Sequence, residues 1–190
     1  MAKRQQPQSD AEVQALVSES QDQFVSAWGK MASNWGIPRT MAEVHALLYI
    51  CARPMNTDEV IERLQISRGN ASMSLRALTD WGLVSRSHKR GDRKEYFHTE
   101  TDVWKLFRTI LRERKKREID PLLVSLHEIR DLTGDEQVTD KATRREVADH
   151  NARIDDMIDF IEMVDGLAER FISPQGRGLK IAAAVLSKVS

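Results

Sequence analysis

Two helix-start signals stand close together near the middle of this 190-residue chain. The first, Asn56-Thr57-Asp58-Glu59, has a capping pattern in which side chains bond the free backbone amides of a helix start. The second is Ser67, a favoured N-cap residue, and only three or four residues separate the two helices. This spacing is typical of a helix-turn-helix, so the two signals constrain the local fold strongly.

A short hairpin is predicted directly after the second helix, which we place over residues 67–81. Gly82 suits the left-handed backbone conformation that ends a helix, and Leu83-Val84-Ser85-Arg86 predicts a short strand. Residues 89–93 predict a turn, and residues 94–98 predict the returning strand. The hairpin has a basic tip, and we call residues 86–94 the wing.

Helices are predicted on both sides of this central region. An amphipathic helix begins at Asp10 and ends near Asn34, and Thr40-Met41-Ala42-Glu43 predicts a capping box for the helix that follows it. After Thr101 comes a charged helix that Pro121 kinks or restarts. A long helix is predicted next, ending near residue 171, and a short terminal helix over residues 179–189.

The predicted fold class is therefore mainly α: an α+β winged helix-turn-helix domain with a small β-hairpin wing and helical extensions. We expect a mobile leader over residues 1–9 and the winged domain, with its N-terminal helix, over residues 10–100. Residues 101–190 are expected to form a further helical region.

Charge is balanced over the whole chain but unevenly distributed along it. Residues 67–98 carry a net charge of +4, whereas residues 118–190 carry −6. A basic middle favours contact with a polyanion. The single cysteine, Cys51, cannot form an internal disulfide, and no apolar run is long enough to cross a membrane. We expect a cytoplasmic protein without a membrane partner, a cofactor or a metal.

The helix over residues 67–81 has two different faces. Ala71, Leu75 and Leu78 share the face that would pack on the preceding helices. The opposite face carries Asn70 and Arg76, whose hydrogen-bonding groups suit adenine and guanine edges in the major groove. Cations on the wing would contact phosphates or a minor groove. The predicted DNA-contacting residues are Ser67, Arg68, Gly69, Asn70, Ser72, Met73 and Arg76 on the helix and Arg86, Lys89, Arg90, Arg93 and Lys94 on the wing.

The run from Ser67 to Val84 resembles the recognition helix and turn of GbsR-type transcriptional regulators, a branch related to the MarR winged-helix repressors. Trp35-Gly36-Ile37-Pro38-Arg39 and Arg90-Gly91-Asp92-Arg93-Lys94 also resemble that family. The resemblance covers about residues 24–132. It implies a homodimeric repressor or activator on a roughly palindromic double-stranded operator. The resemblance also implies that the N-terminal and C-terminal helices form the dimer, with residues 101–190 as the region for dimerisation and effector binding. Some members of the family sense choline or glycine betaine, which implies a small-molecule effector.

Other interpretations of the chain stay open at this point. Phe24, Trp28, Trp35 and Trp104 could form an aromatic site for a quaternary ammonium effector, although aromatic residues at helical spacing more often pack in a core. A winged helix can also serve as a protein–protein interaction module in an assembly, without reading DNA. Catalysis is not expected, because the chain has no phosphate-binding glycine loop and no nucleophile motif.

Overall fold

A computed structural model describes residues 9–133 and 140–172 of the protein. The chain divides into two compact units, the first ending at Leu106 and the second beginning at Phe107. In chain order the elements are α1 (Asp10–Asn34), α2 (Arg39–Cys51), β1 (Met55–Asn56), α3 (Thr57–Leu64), α4 (Arg68–Asp80), β2 (Val84–His88), β3 (Glu95–Thr99), α5 (Val103–Arg114), a π-helical turn (Lys115–Ile119), α6 (Asp120–Asp131) and α7 (Lys141–Ile172).

The core of the first unit lies where α2, α3 and α4 meet. Leu47 and Leu48 on α2, Val60 on α3, and Leu75 and Leu78 on α4 are almost fully buried. Burying a side chain of this size contributes about 1.5–3 kcal/mol each. The predicted inward face of the helix-turn-helix is therefore the face that packs.

Local capping fixes where α3 and α4 begin. The Asn56 side chain accepts a hydrogen bond from the Glu59 amide, and the Glu59 carboxylate accepts one from the Asn56 amide. The Ser67 hydroxyl accepts a hydrogen bond from the Asn70 amide at 3.2 Å. Between the two helices Gln65 adopts a left-handed conformation, with φ of 53°. The predicted helix-turn-helix is confirmed.

The predicted capping box at Thr40 is wrong. Helix α2 begins at Arg39, two residues earlier than a cap at Thr40 would place it, with Pro38 in the N-cap position and no side-chain hydrogen bond to the cap. The Glu43 carboxylate instead accepts a hydrogen bond from the Arg39 guanidinium, one turn away, at 2.7 Å. Since Thr40 lies inside the helix, its hydroxyl is not at the position that caps free amides.

The wing belongs to a three-stranded antiparallel sheet in the order β1-β3-β2. Strands β2 and β3 form the predicted hairpin, in which Ser87 pairs with Tyr96, and Gly82 before it has φ of 69°. Strand β1 was not predicted, because two residues give no alternating pattern. It pairs Met55 with Phe97 and so attaches the start of α3 to the hairpin.

A buried histidine connects α2 to the base of the hairpin. His45 Nε2 lies 3.2 Å from the Thr99 hydroxyl, which donates its own hydrogen to the Leu83 carbonyl at 2.7 Å. The hydroxyl oxygen therefore accepts from the His45 Nε2–H. The ring is neutral at pH 7 because its pKa lies well below that value. Burial lowers the pKa of His45 to about 4, because a charged ring would lose its hydration.

The second unit contains helices α6 and α7. Arg130 on α6 forms an ion pair with Asp155 on α7 at 2.7 Å, and buried Asn151 donates a hydrogen bond to the Thr133 carbonyl. Pro121 lies in the first turn of α6, directly after the π-helical turn, so the helix is irregular where a kink or restart was predicted. The predicted terminal helix and the leader, apart from Ser9, lie outside the described residues. In the described ranges no helix is long and apolar enough to span a membrane.

Candidate nucleic-acid interface

Helix α4 presents a polar and largely exposed face beside the wing. Gly69, Asn70, Met73 and Arg76 are exposed on it, and Met73 keeps 72% of its surface accessible although it is a large apolar residue. The opposite side of the same helix is buried through Ala71, Ser74, Leu75 and Leu78. The exposed side can therefore meet a partner without disturbing the packing of α4.

The N-terminus of α4 combines backbone donors with a cation. Ser67 caps it by accepting from the Asn70 amide, while Gly69 and Ser72 are exposed in the same first turns. A helix start carries the positive end of the helix dipole, which favours a phosphate. Arg68, the first residue of the helix, is exposed and forms an ion pair with Asp58 of α3 at 2.6 Å.

The wing has an internally bonded turn. The Asp92 amide donates to the Lys89 carbonyl at 3.0 Å, and Gly91 has φ of 84°, which other residues rarely adopt. The Asp92 carboxylate accepts hydrogen bonds from the Lys94 amide and the Tyr96 hydroxyl, and these two bonds lower the pKa of Asp92. Asp92 thus sets the shape of the tip.

The cations of the wing differ in their partners. Lys89 Nζ lies 3.9 Å from the centre of the Tyr96 ring, a cation–π contact. Arg86 is 3.8 Å from Glu95 across the hairpin, and Lys94 is 3.1 Å from Asp58. Arg90 and Arg93 are exposed at the tip. Neither has an ion pair with any of the described residues, so both can contact an external anion.

The predicted site residues did not include Asp58, Asp92 or Tyr96, which hold the cations or the turn of this surface in place. The position of Asp92 after Gly91 in a predicted turn was a usable signal, because aspartate often bonds backbone amides two residues further on. Nothing in the local sequence marks Asp58 as a partner of the wing.

Two of the four predicted aromatic site residues are stacked between helices, and the other two are exposed. Phe24 and Trp28 stack on each other with ring centroids 5.8 Å apart, and Phe24 also stacks on Tyr49 of α2 at 6.1 Å. This arrangement uses ring faces for packing between α1 and α2. Trp35 and Trp104 keep more than half of their surface exposed. Their predicted role in effector binding stays a prediction.

Comparison with known proteins places this surface in a recognised domain. The model of the MarR family matches residues 35–95. The chain is 25% identical over 114 residues to the HTH-type transcriptional repressor GbsR of Bacillus subtilis (strain 168), covering 60% of this chain and 63% of that protein. It is 23% identical over 95 residues to the putative HTH-type transcriptional regulator YvaV of the same organism, covering 50% of this chain and 54% of that protein. The chain thus spans less than two thirds of the length of these curated relatives.

A solved structure gives the same fold. The crystal structure of a transcriptional regulator superposes with a TM-score of 0.50 at 19% identity, covering 80% of this chain and 99% of that chain. This likeness confirms the winged helix-turn-helix fold. The sequence matches to GbsR and YvaV confirm the resemblance to GbsR-type regulators, and both of these matched proteins are transcriptional regulators. Residues 35–95, which include α3, α4 and the wing, are thus similar to the MarR family.

Proposed function

We propose that this protein is a cytoplasmic transcriptional regulator that binds double-stranded DNA as a homodimer and acts as a repressor. The observation that carries the proposal is the placement of exposed Asn70, Met73 and Arg76 on the outer face of α4, next to a wing whose tip carries Arg90 and Arg93. Within the described residues no acidic partner neutralises these two tip arginines. A surface of this kind suits a major groove flanked by phosphates.

The two parts of the surface have different tasks in this proposal. Helix α4 enters the major groove, where Asn70 and Arg76 bond base edges and Met73 offers an apolar contact to a thymine methyl. The wing contacts the backbone or the minor groove, and its arginines supply salt-sensitive affinity that does not depend on sequence. Specificity therefore comes from α4, and general affinity comes from the wing.

Exposed apolar residues on α1 and α7 support the proposed homodimer. The N-terminal half of α1 exposes Val13, Leu16 and Val17. On α7 the exposed large apolar residues are Met157, Phe160, Met163, Val164 and Leu167. Apolar stripes of this size on a single chain favour burial against another copy. The likeness to GbsR-type regulators points to the same arrangement.

A small effector such as choline or glycine betaine completes the proposal, and the likeness to GbsR-type regulators carries this part. Exposed indole rings at Trp35 and Trp104 are the kind of surface that binds a quaternary ammonium group. A millimolar addition of either compound should change the affinity for operator DNA. If neither compound shifts the binding curve, the effector assignment is wrong.

The experiment for the main proposal measures the retention of random genomic fragments by the purified protein over a series of salt concentrations. We expect the logarithm of the binding constant to fall linearly with the logarithm of the salt concentration. Sequencing of the retained fragments should show an enriched, roughly palindromic site. An absence of salt-dependent retention would reject DNA binding. The surface would then be better explained as a protein interaction module.

A further inference from the structure

Asp58 joins the two parts of the proposed DNA-binding surface. It lies in the first turn of α3, and its Oδ1 atom is 2.6 Å from Arg68 Nη2 at the start of α4. Its Oδ2 atom is 3.1 Å from Lys94 Nζ at the end of the wing. One carboxylate thus bonds two cations that come from different elements, and both of them are predicted phosphate contacts.

The position of this carboxylate is accessible to a partner. The Asp58 side chain is 48% exposed, and those of Arg68 and Lys94 are 72% and 54% exposed. Ion pairs at such a surface contribute little to the stability of a fold, because water screens them and the long side chains lose freedom. Holding the fold together is therefore an insufficient explanation for Asp58.

Asp58 is negatively charged, as a group that competes with phosphate for cations must be. Hydrogen bonds from Arg68 and Lys94 lower the pKa of this carboxyl group, which keeps it ionised at neutral pH. Carboxylate and phosphate oxygens accept the same charge-assisted hydrogen bonds from guanidinium and ammonium groups. A DNA phosphate that approaches Arg68 and Lys94 must therefore replace Asp58 or share its partners.

We propose that Asp58 is an internal competitor of the DNA backbone, occupying in the free protein the place between Arg68 and Lys94 that a phosphate takes in the complex. This inference rests on the proposed DNA-binding function. The exchange lowers affinity for every duplex by a similar factor, whatever its sequence. Because the backbone then contributes less, base contacts of Asn70 and Arg76 supply a larger share of the binding free energy. Asp58 therefore limits how much of the protein is bound to non-specific DNA.

The test compares D58N with D80N, both measured by fluorescence anisotropy on a random-sequence duplex over a salt series. Asp80 is a matched control because it ends α4, is exposed, and has no ion pair with any described residue. We expect D58N to bind about 3- to 10-fold more tightly at about 0.1 M salt, with a salt slope steeper by about 1, since one additional phosphate contact releases about one counterion. The D80N variant should change affinity by less than about twofold, because it alters net charge without releasing a cation.

A second set of variants separates competition from a general charge effect. In a protein that already carries R68Q and K94Q, adding D58N should not increase the affinity for DNA, because the cations that it would release are absent. D58S provides a second neutral variant without the carboxylate if D58N folds poorly. Thermal melting of each variant checks the fold. If wild type binds DNA but D58N binds equally or more weakly, the inference is overturned and the proposed function stands. If neither retains DNA at low salt, the proposed function fails as well.

Discussion

His45 on α2 and Thr99 at the end of β3 share a hydrogen bond of 3.2 Å inside the first unit, between residues that are 54 positions apart in the chain. The Thr99 hydroxyl also donates to the Leu83 carbonyl, directly before β2. The neutral imidazole therefore attaches the base of the hairpin to the core helix. A proton on that ring would leave a buried charge without a counterion among the groups that contact it.

The first prediction concerns acid stability. The folded-state pKa of His45 is about 4, below its ordinary value of 6.5, so the unfolded state binds more protons between these values. The neutral His45 ring therefore contributes about 3 kcal/mol to the free energy of unfolding. This contribution is fully present above pH 6.5 and is lost as pH falls toward 4. Urea unfolding of wild type and H45Q between pH 4 and 7 measures it. The stability of H45Q should vary less with pH over that range, and equal pH dependence would contradict the assignment.

The second prediction concerns base reading. R76A should weaken binding to the operator by about 10- to 100-fold, which corresponds to the loss of one bidentate base contact, about 1–3 kcal/mol. Binding to random duplex should change much less. Arg76 is exposed on α4, so the fold should not be affected, and an equal loss on both duplexes would assign Arg76 to the backbone instead.

The third prediction concerns the wing. R90Q and R93Q should each reduce the salt slope by about 1 and weaken binding to operator and random duplex by similar factors. The measurement is a titration of both duplexes over a series of salt concentrations. R39Q offers a comparison outside the wing, since Arg39 begins α2 and is paired with Glu43. A change in sequence preference in R90Q would show that the wing also reads bases.

The fourth prediction concerns the start of α4. S67A removes the hydroxyl that accepts from the Asn70 amide, and the loss of such a cap costs about 1 kcal/mol of folding stability. S72A, at an exposed position within α4, is the matched control and should be neutral or slightly stabilising because alanine favours helix. Chemical unfolding measures both, and equal stabilities of the two variants would reject the capping role.

The fifth prediction concerns the homodimer. Phe160 on α7 is 56% exposed in the single chain, and we expect it to be buried against another copy. F160E should therefore shift the protein from dimer to monomer in sedimentation equilibrium and should weaken operator binding. D159S, an adjacent change at another exposed position, should leave the dimer intact. A wild-type protein that sediments as a monomer at the micromolar concentration used would contradict the dimer itself.

The sequence by itself determined the elements that depend on neighbours in the chain. The caps at Asn56 and Ser67 each involve a residue three positions away, and the left-handed Gly82 ends α4 through its own backbone. The inward face of α4 also follows from helical periodicity. For this reason the helix-turn-helix, the hairpin and the faces of α4 are all predictable from the order of residues alone.

Tertiary structure decided the features that depend on which elements meet. Strand β1 exists because Met55 pairs with Phe97, and Asp58 becomes part of the interface because packing brings α3 beside both Arg68 and Lys94. The missing cap at Thr40 has a local origin instead, since the Glu43 carboxylate is bonded to Arg39 one turn earlier in the same helix. Spacing along the chain indicates only which residues can meet within one element. Partners from separate elements are selected by the packing of the buried core, which brings together side chains far apart in sequence.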